Sequence, residues 1–205
     1  MGRPLLDYTL EAARKIVPDS RIILSTDDEA IRRVAEDLGL AVPYMRPAEL
    51  ATDTSGSREV MLDVMDWADN EGIDYDCIVL LQPTSPLRNS DDIRRCLEVY
   101  EQHAPDIDMA VTVTEAASNP YYNCFEKDSD GFLHISKGDG LITRRQDAPH
   151  VWEYNGAVYV IRPEALREMP LGAMPRRAPS PMPKERSIDI DNEADWRVAE
   201  YLLSK

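Results

Sequence analysis

DCIVLLQPTSPLRNS, residues 76–90, is the stretch on which the fold turns. It opens with an apolar run of strand length, 76–81, which predicts a strand buried on both faces. Pro83 and Pro86 then shape a turn, because a fixed φ and a missing N–H cannot continue a ladder. Ser90 can cap a helix over 91–102. Strand, turn and helix in that order form half of a βαβ unit, and the rest of the chain repeats the alternation. Upstream, apolar spacing predicts helices over 5–16, 28–38 and 57–69, with Gly39 as a C-terminal cap, a strand over 21–26 and a short extended stretch at 41–45. Downstream, 108–114 and 156–161 read as strands, 188–190 as a short one, and 193–203 as a closing helix. Strands alternating with helices of this length predict an α/β chain, a single domain over 1–205, built on a mostly parallel sheet covered on both faces.

Two regions break the rhythm. Residues 116–150 lack a helical stripe and are rich in Asn, Asp, Gly and aromatic groups, which predicts an inserted hairpin or arm. Tyr121, Tyr122, Phe125, Phe132 and the nearby Trp152 have no evident face to bury them there, and such groups commonly mark an interface. Residues 170–184 hold five of the fifteen prolines and read as a partly extended loop.

Composition narrows the function. Of 205 residues 43% are apolar, enough for a real core, and the formal net charge is −15. That charge leaves no basic surplus to displace phosphate counterions, which argues against general nucleic-acid binding. No apolar run is long enough to span a bilayer, and Met1-Gly2-Arg3-Pro4 opens no signal-peptide pattern. Cys77, Cys96 and Cys124 are odd in number and widely spaced, so neither a disulfide framework nor a CxxC metal site is expected, and a reduced, cytoplasmic setting is. In so acidic a chain, any anionic ligand must be met by a local gathering of Arg and Lys.

Four segments carry candidate chemistry. The turn after the 76–81 strand holds Gln82, Thr84, Ser85 and Arg88 beyond a strand's carboxyl end, where open α/β sheets bind ligands; the alternative is a rigid strand-to-helix connection. In Ser187-Ile188-Asp189-Ile190-Asp191, strand alternation would place Asp189 and Asp191 on one face, a hard oxygen site suited to Mg²⁺ or Mn²⁺; the alternative is an edge strand with its acidic face in water. Arg144 and Arg145 are adjacent cations able to grip a carboxylate through paired hydrogen bonds, and Asn155-Gly156 places an amide at the mouth of the next strand; a solvated surface turn is the bland reading. Arg46 precedes a hydroxyl-rich stretch running to Ser57 at a helix start, where free N–H groups attract anions, although capping by Ser55 or Ser57 also accounts for it. His103, His134 and His150 show no metal-ligand spacing.

Together these segments resemble the acylneuraminate cytidylyltransferase family, the CMP–sialic acid synthetases. The resemblance covers nearly the whole chain and is anchored by STDD at 25–28, RPAELATD at 46–53, LLQPTSPLR at 80–88, RRQD at 144–147, NGAVY at 155–159 and SIDID at 187–191. It implies a Rossmann-like doubly wound fold of the nucleotide-diphospho-sugar transferase kind, with an inserted dimerisation arm at 116–150. It implies transfer of CMP from CTP to a nine-carbon 2-keto acid sugar, with release of pyrophosphate, in a cytoplasmic homodimer. Matching positions put Arg46 and Ser57 near the cytidine; Gln82, Arg145, Asn155 and Tyr159 on the sugar side; and Asp189 and Asp191 on Mg²⁺ or Mn²⁺, with Gln82, Asp189 and Asp191 as the catalytic set.

The chain departs from the family at two points. Members begin with a strand and a Gly-rich basic loop that cradles the triphosphate, whereas this sequence opens at the following helix. The expectation is a start upstream of Met1, or weak CTP binding and slow turnover. At Asn119-Pro120-Tyr121-Tyr122, where some members carry a His and a Lys, the sugar contacts are in doubt. Two rivals stand beside the main reading: a nucleotidyltransferase for another sugar, and a non-catalytic relative that binds sugar or nucleotide.

Overall fold

A computed structural model describes residues 2–52 and 56–205. The core is a four-stranded mixed sheet in the order β1 (Ile78–Leu81), β5 (Trp152–Ile161), β2 (Met109–Glu115), β6 (Arg177–Pro181). β5 runs antiparallel to both β1 and β2, while β2 and β6 are parallel, so three strands share one direction and β5 alone opposes them. The carboxyl ends of β1, β2 and β6 therefore point to one edge of the sheet, the edge that α/β folds use for ligands.

Two apolar layers cover the sheet. One joins Ile93, Cys96 and Tyr100 of α4 (Ser90–His103) to Ala110, Val158 and Val160. The other joins Met61 and Met65 of α3 (Ser57–Asn70), and Leu166 of α5 (Pro163–Glu168), to Met109, Val111 and Ile161. A third cluster packs Leu10 of α1 (Leu5–Arg14) against Ala35 of α2 (Glu29–Asp37) and Leu40. Gly39, at φ +82°, ends α2 as expected: its N–H bonds Glu36 O and that of Leu40 bonds Ala35 O. The chain closes with α6 (Glu193–Leu203).

Several elements differ from the sequence reading. Residues 22–26 form no strand: Arg46 N–H bonds Thr26 O at 2.9 Å, but no ladder follows among the described residues, and Ile22 and Leu24 pack on the third cluster. β1 is half-buried along its length rather than enclosed, as befits a strand on the sheet's rim. Residues 188–190 also lack ladder bonds, so the alternation argument for Asp189 and Asp191 does not apply there. Conversely, the Pro-rich 170–184 stretch contains β6. Pro179 and Pro181 are tolerated because β6 lies at the opposite rim, where missing donors cost no ladder. The cap of α4 is Asn89, not Ser90: its side chain accepts from Asp91 and Asp92 N–H, and Asp92 returns the bond.

The 116–150 segment contains a two-stranded ribbon, β3 (Phe125–Lys127) with β4 (Leu133–Ile135). Asn119 closes its base, donating to Pro149 O at 2.9 Å. Tyr121 and Tyr122 are half-buried, whereas Phe125, Phe132, Leu133 and Leu141 stand exposed.

Candidate functional site

The site grows from a fault in the sheet. At the carboxyl end of β1 the chain enters the Gln82 turn, and opposite it β5 carries Gly156 at φ +71°. Absence of a side chain there lets two groups close in: a Cβ at position 156 would lie 2.5 Å from Gln82 Oε1 and 2.7 Å from Asp189 Oδ2. Gln82 and Asp189 thus converge over one glycine. The Gln82 side-chain amide has no hydrogen-bond partner among the described residues, and Asp189 Oδ1 is buried without one. Tyr159 is half-buried next to them; burial, then the charges of Tyr154 and Asp189, push its hydroxyl pKa up.

Asp189 is held by a pinned, non-helical segment. Arg186 grips the fully buried Asp92 at the head of α4 through two bonds of 3.1 and 2.8 Å. Ser187 Oγ accepts from Asn155 Nδ2 at 2.9 Å, and Ile190 N–H reaches Thr84 O at 2.9 Å. Asp191 lies just beyond, exposed, its N–H on Asp195.

Other predicted positions serve different ends. Asn155 is buried within β5, its amide engaged with Thr112, Ser187 and Met182 rather than open at a strand mouth. Ser85 and Arg88 do not face out either. Arg88 is 3% exposed and binds Ala157 O, Gln82 O and Thr9 Oγ1, which brace the turn. Burial pulls its pKa down to about 10, so it remains charged at neutral pH. From that turn, the Gln82 amide reaches the gathering over Gly156. Arg46 is committed to Ser25, with bonds to Oγ at 3.1 Å and O at 2.6 Å. Ser57 is the exposed first residue of α3 and makes no cap; Ser55 and Asp53 lie outside the described residues.

Beyond the ends of β2 and β6 opens a cleft of about 520 Å³, lined by Arg145, Lys184, Glu115, Trp152, Met182 and Pro183 among others. The structure separates the adjacent arginines: Arg144 pairs with Asp147 at 2.7 and 3.0 Å, while the Arg145 side chain, among the described residues, bonds the carbonyl of Ala117. Lys184 has no ionic partner among the described residues. Two cations facing one cleft, with Glu115 as the one acidic side chain on its wall among the described residues, are a local basic spot on a protein of charge −15. Met182 joins this cleft to the Gly156 site, since its sulfur takes the Asn155 amide at 3.2 Å. Lys184 and Thr112 went unnoticed in the sequence, because neither sits in a motif and their roles depend on which strands become neighbours.

The arrangement offers an orphaned carboxylate, a free amide and a cationic cleft along one sheet edge. A family model described as Cytidylyltransferase matches residues 1–177. The chain belongs to the cytidylyltransferase family. Among its relatives, CMP-N,N'-diacetyllegionaminic acid synthase of Legionella pneumophila is 29% identical over 203 residues, spanning 98% of this chain and 86% of the relative. N-acylneuraminate cytidylyltransferase of Streptococcus agalactiae is 34% identical over 200 residues, 95% of this chain and 46% of that longer protein. A solved CMP:2-keto-3-deoxy-manno-octonic acid synthetase in complex with CTP superposes with a TM-score of 0.67 at 14% identity, covering 100% of this chain and 89% of that one, which establishes a shared fold. As a cytidylyltransferase, the chain is a nucleotidyltransferase of nucleotide-sugar biosynthesis. No helix among its described residues is long and apolar enough to cross a membrane.

Proposed function

We propose that this cytidylyltransferase joins CMP from CTP to a nine-carbon 2-keto acid sugar, releasing pyrophosphate. The observation that carries the reading is the cleft holding Arg145 and Lys184, linked through Met182 and Asn155 to the Gln82–Gly156–Asp189 gathering. An acidic sugar needs a cation where it binds, and a guanidinium fork matches a carboxylate. Arg145 would hold the carboxylate and Lys184 would add charge. Gln82 and Tyr159 would orient the sugar's anomeric hydroxyl toward the α-phosphate. Asn155 would act from beneath, keeping the β5 stretch around Gly156 in shape, and Arg46 and Ser57 are assigned to the nucleotide side. Relatives named for legionaminic, acylneuraminic and pseudaminic acids support the substrate class and leave the particular sugar open.

Asp189 fits Mg²⁺ or Mn²⁺, and Asp191, two residues on, is assigned as the second carboxylate. Asp189 Oδ1 is a buried hard donor with no hydrogen-bond partner among the described residues. The described residues contain no group of three or more His, Cys, Asp or Glu side chains able to enclose a metal. That suits magnesium, which takes one or two carboxylates and leaves its other positions to water and phosphate. When bound, the ion would neutralise charge on the phosphates. The protein's own contribution is alignment and a fixed electrostatic frame, the main needs of this transfer class.

Pyrophosphate release should appear with CTP plus N-acetylneuraminic, legionaminic or pseudaminic acid, and not with UTP or a neutral hexose. Arg145→Lys should raise the KM for the acid at least tenfold, because an ammonium cannot reproduce the two-bond grip. Equal use of neutral sugars, or an unchanged KM in that variant, overturns the reading. The 116–150 arm is proposed as the contact of a homodimer: Phe132, Leu133 and Leu141 are 71%, 69% and 78% exposed on one ribbon and its flank. A monomer in sedimentation at micromolar concentration would rule this out. Three free thiols support a cytoplasmic setting.

A further inference from the structure

The pairing of β2 with β5 slips once. Val111 faces Tyr159 but Val113 faces Tyr154, so a single residue of β2, Thr112, spans the stretch Asn155–Val158. Thr112 is fully buried. Its hydroxyl accepts the Val158 N–H at 2.8 Å and lies 2.7 Å from Asn155 Oδ1. A hydroxyl has one proton to give. The shorter contact takes it, with the Val158 carbonyl farther off at 3.1 Å. Ala157 N–H also points at Asn155 Oδ1, at 3.2 Å. With two donors on its oxygen, the Asn155 amide can face only one way, and its NH₂ group is turned to Ser187 Oγ at 2.9 Å and to the Met182 sulfur. The Ser187 hydroxyl donates its own hydrogen bond to Pro183 O at 2.9 Å.

This chain of bonds leads to Asp189. Ser187 and the Ile190–Thr84 bond pin the segment on either side of it, and between those pins the carboxylate sits over Gly156 with Oδ1 unpartnered. Gly156 belongs to the same bulge that Thr112 clamps. Both the glycine platform and the segment above it are thus fixed from one buried hydroxyl. We propose that Thr112 is a positioning residue for the Asp189 carboxylate, acting through Asn155 and Ser187. The proposal deepens the reading of Asp189 as a metal ligand and rests on it. Residues that orient metal ligands without touching the metal typically matter by about 10- to 100-fold in affinity.

Thr112→Val keeps the shape and removes the proton; Thr112→Ser keeps the proton. In the full chain, Mn²⁺ alone is titrated and its free fraction followed by electron paramagnetic resonance, while hydrogen exchange is followed at the Ile190 amide. Thr112→Val should raise the Mn²⁺ dissociation constant at least about tenfold and speed exchange at Ile190, and Thr112→Ser should match the parent in both. An unchanged dissociation constant in the Val variant, or a Ser variant as impaired as Val, overturns the proposal. Should the Val variant not fold, Ser187→Ala cuts the same chain of bonds outside the sheet, and the same two changes are required of it. Asp189→Asn separates the two readings. If it takes up Mn²⁺ as the parent does, the metal assignment is what fails, and exchange at Ile190 still judges the Thr112 link.

Discussion

Gly156 shows how one residue can serve both backbone and site. Its φ of +71° lies in the left-handed region, which costs a residue with a Cβ about 1–2 kcal/mol. A methyl there would also press on Gln82 Oε1 and Asp189 Oδ2, at 2.5 and 2.7 Å. Both neighbours are ends of side chains and can move, but moving them takes apart the proposed site. Gly156→Ala should therefore lower stability in urea by about 1–2 kcal/mol and lower turnover far more than that loss explains. Turnover falling only in step with the folded fraction would show that the close approach has no functional weight. At this scale the sequence was only partly legible. Asp189 and Gln82 stood out as motif residues, and they do meet. Arg88 stood out equally, yet its guanidinium is buried under the turn, where three acceptors offset part of its desolvation. Nothing local distinguishes a guanidinium aimed at solvent from one aimed at its own backbone.

Elements with strong local signals formed where periodicity put them, and the exceptions share a cause. A strand exists only when a second strand lies alongside, so 22–26 and 188–190 have no ladder, while 177–181, broken by prolines, becomes a strand because β2 has an edge to lend. Helix α4 is the counterexample, settled by its own first turn. Asn89 accepts at 3.0 Å from both Asp91 and Asp92 N–H, and Asp92 answers it. Asn89→Ala should cost about 1 kcal/mol by urea titration. Because Asp92 also holds Arg186, the substitution should loosen 184–191 as well, visible as faster exchange at Ile190. A stability loss with no change at Ile190 would mean that the cap and the pinned segment are independent.

For the molecule as a whole, Asp108 ties β2 to two connections at once. Burial pushes its carboxyl up, but hydrogen bonds from Arg176 and Arg162 outweigh that and hold its pKa down at about 2. An ordinary aspartate titrates at about 3.9 when unfolded. The folded value is the lower one, so this contribution is complete above about pH 4 and is lost as pH falls toward about 2. Asp108→Asn should be less stable at pH 7 and should show a flatter fall in urea midpoint between pH 4 and 2.5; parallel acid limbs for the two proteins would contradict this. The strand order carries a consequence for synthesis. β5 lies between β1 and β2, so Ile78 finds its neighbour only at Ile161, about 80 residues later. At ribosomal speeds of about 5–20 residues per second, β1 and β2 wait several seconds with both edges bare. The nascent chain is therefore an open sheet without its middle strand. Chains stalled before residue 152 should be protease-sensitive and bound by chaperones, and those stalled far enough past 181 for β6 to clear the exit tunnel should be neither.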